Sequence, residues 1–429
     1  MIMKLVFYQV LTRLWGNGRF SSFTEKSLRY IKELGADYVW FTGIPRHATG
    51  EGFVKGDPGS PYAVSDWMDT NPYLADDQAG RLEEFRALAA RTHDAGLKLC
   101  MDFIPNHVAR NYAGPIPHHD WYDCDWSDTL KVDWYDPGTV PCMIDILRFW
   151  VDAGVDAFRC DMVELVPAEA LGSVISTLKA EHPGLLFIAE VYGKDNYRKY
   201  LDTAHFDLLY DKSGAYDTLR GIRTHGWSTE GLTWNWQWLG DMQTKMLNFL
   251  ENHDEQRVPF WSGDPFWPAV AYSLLFNTAS FMLYFGQEAG EDAAEGAEGR
   301  TSIFNWAKPA KVARIVGFAE SGVKLPDAEE KVLARFRSLL ALSHKPEFAT
   351  GKVWDPCYCQ SEEGGFDRHG HFAFIRYSDT GAYLVLCNFT NRACNVKLTV
   401  PIELEGLLST DYVELSVAPL DFAIYSFSE

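Results

Sequence analysis

Eight short apolar runs recur along most of the chain: Leu5–Leu11, Ala36–Ile44, Leu97–Ile104, Val155–Cys160, Leu185–Ala189, Phe206–Tyr210, Met246–Leu250 and Phe281–Phe285. Several are apolar almost throughout, as parallel strands covered on both faces must be. The spacers show helical periodicity. Leu28, Ile31 and Leu34 share one face of a stretch from Glu25 to Leu34 that Gly35 closes. Leu82, Phe85, Leu88 and Ala89 do the same before Gly96, and Ile144, Leu147 and Val151 before Gly154. Strand, helix, glycine and strand, repeated, predict a (β/α)8 barrel.

Two regions depart from this alternation. Residues 106–136 carry no helical period and are rich in Asp, Trp, Tyr, His and Pro. They form an excursion after the third strand, where long loops of a barrel carry function. After Ser343 the pattern changes to short β-like runs, Phe372–Tyr377, Tyr383–Asn388, Val396–Val400 and Ala423–Phe427, broken by Gly, Asn, Asp and Pro. The predicted organisation is an α/β barrel over residues 1–344, including the excursion, and a C-terminal antiparallel β-sandwich domain over 345–429. Ala269–Gly286 is charge-free and near membrane length, but its Ser273, Asn277, Thr278 and Ser280 predict a buried helix and strand instead.

Composition narrows the function classes. The 429 residues are 47% hydrophobic and 23% charged, which suits a globular fold. Lys and Arg number 39 against 59 Asp and Glu, a formal charge of −20. A surface this acidic argues against nucleic acid and against anionic membranes as partners. The N-terminal apolar run is cut by Lys4 and Gln9, too short for a signal-peptide core, and the eight Cys are scattered. A reduced, cytoplasmic protein is expected.

Active sites of barrels lie at the C-terminal ends of the strands. The third run ends in Asp102-Phe-Ile-Pro-Asn106-His107, the fourth in Arg159-Cys-Asp161, the fifth in Glu190 and the seventh in Asn252-His253-Asp254. Three carboxylates, Asp161, Glu190 and Asp254, thus leave three strands at one end. Convergent acids raise each other's pKa, the condition for one protonated carboxyl beside one ionised carboxylate. Glycosidic cleavage needs that pair: an acid for the leaving oxygen and a carboxylate for the oxocarbenium-like centre. Arg159 falls on the same side of its strand as Asp161 and could hold it ionised.

These four runs resemble the signature regions of the α-amylase family, glycoside hydrolase family 13. Ser60-Pro-Tyr62-Ala-Val-Ser-Asp66 and Gly286-Gln287-Glu288 are similar to further family segments. The resemblance implies Asp161 as nucleophile, Glu190 as general acid/base and Asp254 as the acid that binds the reacting sugar. It implies that Tyr62 stacks on that sugar, that Arg159, His107 and His253 line its subsite, that Asp102 and Asn106 buttress the site, and that Arg300 grips the sugar. It also implies that no cofactor is needed for the chemistry and that Asn106 lies where many members hold a structural calcium ion; Asp120, Asp123, Asp125 and Asp128 read either as further oxygen donors or as a solvated acidic loop. The implied activity is retaining hydrolysis of α-1,4-glucosidic bonds in starch, glycogen or maltooligosaccharides. The alternative is a transglycosylase or a narrow α-glucosidase acting on short chains.

The chain departs from the family at several points. Glu164-Leu165 stands where many starch-cleaving members have Lys-His. Gly296 stands four residues before Arg300, where an Asp is usual. Trp234, Trp236 and Trp238 alternate, predicting an extended segment with its rings on one side, for sugar stacking or for packing. Trp121, Trp126 and Trp134 invite the same two readings. His118-His119 and His369-Gly-His371 read as surface loop histidines.

Overall fold

Each of the eight apolar runs is a strand of one closed parallel barrel: Val6–Leu11, Tyr38–Thr42, Lys98–Phe103, Ala157–Cys160, Leu186–Ala189, Leu208–Tyr210, Met246–Phe249 and Ser280–Tyr284. They are named below the first to the eighth barrel strand. Neighbours in sequence are neighbours in the barrel, and the eighth closes onto the first with Val6 opposite Phe281. This computed structural model describes residues 4–120, 126–294, 296, 298–404, 408 and 410–427.

Strand residues alternate between two cores. Phe7, Trp40, Cys100, Ala157, Ile188 and Met282 point into the barrel. Their sequence neighbours, such as Tyr8, Phe41, Met101 and Phe158, pack outward against the helices. Both faces are therefore dry, which is why the strands read as unbroken apolar runs. Local signals set the helices. The helix Glu25–Leu34 starts where Thr24 Oγ1 accepts from the N–H groups of Lys26 and Ser27. It stops at Gly35, whose φ of 113° only glycine adopts readily.

The excursion after the third strand is a small sheet in the order His107–Ala109, Thr129–Val132, His118–His119. The C-terminal region has a four-stranded sheet, Lys352–Trp354, His371–Ser378, Gly381–Asn388 and Asp421–Ser426, and a pair, Cys394–Thr399 with Tyr412–Val417. It docks on the helix Trp267–Leu275 through aromatic rings, with Phe372 and Tyr272 centroids 5.3 Å apart. The buried Arg376 guanidinium donates across this seam to the carbonyls of Phe276, Phe348 and Gly351 at 2.9–3.1 Å. Capping carbonyls this way satisfies a charge that burial alone would make costly.

Two readings are corrected. Trp234, Trp236 and Trp238 lie on the helix Glu230–Leu239, not on an extended segment. Every-second-residue spacing mimics a strand, but Leu232, Asn235 and Leu239 at helical spacing are the buried positions, and tertiary packing decides. Trp236 packs on Phe276 while Trp234 and Trp238 face solvent. His371 is buried, where its Nδ1 accepts from the Asp367 N–H, so it is not a surface loop residue. Among the described residues no helix is long and apolar enough to cross a membrane.

Candidate active site

The strand ends hold the acids by main-chain bonds before any side chain acts. The Asp161 N–H donates to the Phe103 carbonyl and the Glu190 N–H to that of Cys160, extending the barrel ladder by one residue each. Asp254 leaves the seventh strand through a turn in which Asn252 Oδ1 accepts from the N–H groups of Asp254 and Glu255, both at 2.8 Å.

Arg159, fully buried, organises the cluster. Its Nη1 donates to Asp161 Oδ1 at 2.6 Å and to Asp102 Oδ1 at 3.4 Å, and its Nη2 pairs with Glu190 Oε1 at 2.7 Å. The rings of Trp40, Tyr62 and Tyr210 surround its Cζ at 5.5–5.6 Å. These faces favour a dehydrated cation. Burial opposes the charge, and Glu190 with the other nearby anions outweighs it.

One cation thus faces four acids, and all four titrate high. Burial raises Asp102 to about 6 against the pull of Arg159. Burial also raises Asp161, opposed by Arg159 and reinforced by Asp254. Glu190 is raised by burial first, with Arg159 opposing and Asp161 adding to it. Asp254 is raised by burial and then by the charge of Glu190, but its side chain is 41% exposed to the cleft, so water screens it more than Glu190. The geometry keeps Asp161, held by the charge-assisted 2.6 Å bond, the readier of the central pair to ionise.

The residues around the acids are fixed by hydrogen bonds. Tyr62 stacks on His253 with centroids 5.0 Å apart, its hydroxyl meets His253 Nε2, and it donates to Asp102 Oδ1 at 3.3 Å. Gln9 Nε2 lies 2.9 Å from His253 Nδ1. Burial, with Arg159 and Arg300, holds His253 well below its ordinary value, so it is neutral at pH 7. His107 is held down to about 3 by burial and then by Lys131 and Lys55. Two neutral imidazoles therefore line the acidic cluster.

The cleft over these groups has a volume of about 770 Å³, and its walls include Asp161, Glu190, Asp254, Tyr62, His107, His253 and Arg300. Asp102 and Arg159 lie beneath it, tied to it by the bonds above. Gly296, Glu298 and Phe304 also face the cleft, so the loop after the eighth strand walls it without an Asp at 296.

Several contributors carry no obvious sequence signal. Tyr192 donates to Glu190 Oε1 at 2.8 Å. The Met162 N–H donates to Glu190 Oε2 at 2.8 Å, and Met162 has φ 47° and ψ 40°. A non-glycine residue in that left-handed region costs about 1–3 kcal/mol and clusters at functional sites. Tyr192, two residues beyond Glu190, could have been found by asking which aromatics follow a strand-end acid. The positive φ of Met162 could not.

Among the described residues, those at Asn106 are engaged with protein cations and do not fit a calcium ion. Asn106 is fully buried, and its Oδ1 accepts from the ammonium of Lys131. Asp128 pairs with Lys55 at 3.0 Å and Asp120 with Arg110 at 3.5 Å. Asp123, Asp125 and Trp121 lie outside the described residues. Among the described residues no three His, Cys, Asp or Glu side chains group as metal ligands. Trp134 is a packing residue, buried and bonded through Nε1 to the Pro105 carbonyl, whereas Trp126 faces the cleft beside His107.

Residues 12–139 match the family model of the α-amylase catalytic domain. The α-1,4-glucan:maltose-1-phosphate maltosyltransferase of Cereibacter sphaeroides is 27% identical over 46% of this chain and 32% of its own length. The α-amylase MalA of Haloarcula japonica is 25% identical over 95% of this chain and 58% of its own length. This chain thus spans about a third to three fifths of those relatives. Among solved structures, an α-amylase from Lactobacillus plantarum superposes with a TM-score of 0.74 at 22% identity, covering 98% of both chains. Residues 12–139 and the strand-end signatures are thus similar to the α-amylase family, and the chain shares the fold of a solved α-amylase.

Proposed function

We propose that this protein is a retaining glycoside hydrolase that cleaves α-1,4-glucosidic bonds of starch, glycogen or maltooligosaccharides. The observation that carries the reading is the shared guanidinium: Arg159 holds Asp161 and Glu190 at 2.6 and 2.7 Å, one carboxylate on each of its terminal nitrogens. That arrangement keeps one acid ionised beside another biased toward protonation. Asp161 Oδ1 is committed to Arg159, which leaves Oδ2 to attack the anomeric carbon. Glu190 gives its proton to the glycosidic oxygen as that C–O bond breaks, and the leaving chain departs as an alcohol. Glu190, now ionised, takes a proton from water. The hydroxide forms the new bond to the anomeric carbon, and the bond to Asp161 breaks. Asp254 and the neutral His253 and His107 hold hydroxyls of the reacting sugar, and Tyr62 stacks on its ring.

A second reading is transfer to a sugar acceptor or action on short chains alone. Glu164-Leu165 supports it, because Glu164 accepts from the N–H groups of Tyr192 and Gly193 and from Asn196 Nδ2 rather than facing the cleft. The maltosyltransferase relative is a transferase by name. The deciding experiment follows products on soluble starch and on a maltooligosaccharide ladder, with the anomer read by NMR. Shorter α-anomeric products are expected. Products longer than the substrate move the assignment to transfer, β-anomeric products remove the retaining mechanism, and no turnover of any α-glucan removes the substrate class.

A further inference from the structure

We infer that the side-chain ammonium of Lys131 is the structural cation of the excursion, standing where the resemblance places a calcium ion. Three pieces of chain meet at its Nζ. The first is the loop after the third barrel strand, through Asn106 Oδ1. The second is the segment following the nucleophile strand, through the Leu165 carbonyl at 3.1 Å. The third is the excursion sheet that carries Lys131 itself, where Lys131 lies opposite His107 and the Val132 N–H donates to the Asn106 carbonyl at 3.0 Å.

These two acceptors are uncharged oxygens, and an ammonium offers three N–H donors on a compact charge. A calcium ion asks for about six to eight oxygen ligands. Among the described residues these two neutral oxygens fall short of that, and the nearby acids, Asp128 and Asp120, are paired with Lys55 and Arg110. A second cation beside Nζ would be repelled across a short, poorly hydrated gap. The covalent cation does what a bound ion would do, joining the excursion to the barrel next to His107, with no dependence on metal concentration. Leu165 enters through its backbone, so its departure from the family side chain costs the bridge nothing. Lys131 acts on the site through Asn106 and the excursion and is a positioning residue.

The test is thermal melting of the full chain, purified, treated with EDTA and then titrated with calcium chloride, beside Lys131→Met and Lys131→Arg. Anything that binds only the folded state moves Tm with its concentration. The wild-type Tm is expected to shift by less than about 1 °C with EDTA or with millimolar calcium. Lys131→Met leaves Asn106 Oδ1 and the Leu165 carbonyl without this donor and is expected to melt ~5 °C lower. Lys131→Arg keeps a cation and is expected to melt between the two. A wild-type Tm that falls with EDTA and returns with calcium overturns the inference, and that arm needs no variant to fold. So does a Lys131→Met protein that melts with the wild type. The readout is a melting temperature, so the outcome stands apart from whether the activity proposed above is found.

Discussion

The phenol of Tyr192 donates to Glu190 Oε1 at 2.8 Å, while the backbone N–H of the same Tyr192 is held at 2.8 Å by Glu164 Oε2. Glu164 thereby sets the loop that carries the Tyr192 partner of Glu190, the proposed acid/base, without touching Glu190 itself. Bonds to a charged acceptor contribute roughly 1.5–3 kcal/mol each. Glu164→Gln keeps the shape but weakens three acceptor contacts, so kcat/KM should fall on the order of tenfold, about 1.4 kcal/mol of transition-state stabilisation. Circular dichroism should be unchanged. Activity equal to wild type would show that the loop holds Tyr192 by other means.

The pH dependence follows from the two central acids. As the proposed nucleophile Asp161 works ionised, and its pKa is raised by burial, so activity should drop as pH falls through that raised value. As the proposed general acid Glu190 works protonated, and burial raises it too, so activity should drop as pH rises through its value. A bell-shaped kcat/KM profile is expected, with its maximum between the two. The Tyr192 hydrogen bond favours the ionised form of Glu190. Tyr192→Phe should therefore move the alkaline limb to higher pH and leave the acid limb in place. Steady-state kinetics across pH 4–9 on a short maltooligosaccharide would check both limbs, and an alkaline limb that moves down contradicts the assignment.

The same burial should cost stability. The folded-state pKa of Glu190 lies above its ordinary value of 4.5, so the proton binds the folded chain more tightly than the unfolded one. That contribution is fully present below about pH 4.5 and is lost as pH rises through the folded value. Glu190→Gln imitates the protonated form at every pH. It should abolish turnover yet melt higher than wild type at pH 8, with a gain on the order of 1 kcal/mol that vanishes near pH 4. Calorimetry at the two pH values checks this, and a variant less stable at pH 8 would show that the Glu190–Arg159 pair outweighs desolvation.

The barrel and its acids were legible because both are consequences of simple geometry. Strands dry on two faces must be apolar runs, and polar residues that close such runs must emerge at one rim. Asp161, Glu190 and Asp254 are found that way, and the structure brings Arg159 under the first two. The Trp234–Trp238 helix was not legible, because three alternating indoles satisfy the two-residue period as well as helical packing does. Lys131 was not either. A lysine in a short strand reads as solvated, and its acceptors Asn106 and Leu165 lie 25 and 34 residues away in sequence. Nor does local sequence announce the left-handed backbone of Met162, which the surrounding structure imposes.

The rim of the cleft offers a prediction about product length. Trp306 Nε1 donates to Asp57 Oδ2 at 2.7 Å, and Lys55 pairs with Asp128 at 3.0 Å. The loop after the second strand is thus tied on one side to the loop after the eighth and on the other to the excursion. Gly56 sits between the two ties with φ +71°, and a Cβ there would stand 2.1 Å from the Phe304 carbonyl oxygen. No side chain fits without parting the loops, and Phe304 itself lines the cleft. Gly56→Ala should push this wall outward while leaving the Arg159 cluster in place. KM for short maltooligosaccharides should then rise roughly tenfold with kcat within about twofold, the signature of lost uniform binding. Asp57→Ala removes the tether with no clash and should broaden the product distribution toward longer chains without the same rise in KM. If Gly56→Ala instead lowers kcat and leaves KM alone, the wall is coupled to the acids and not only to the sugar they hold.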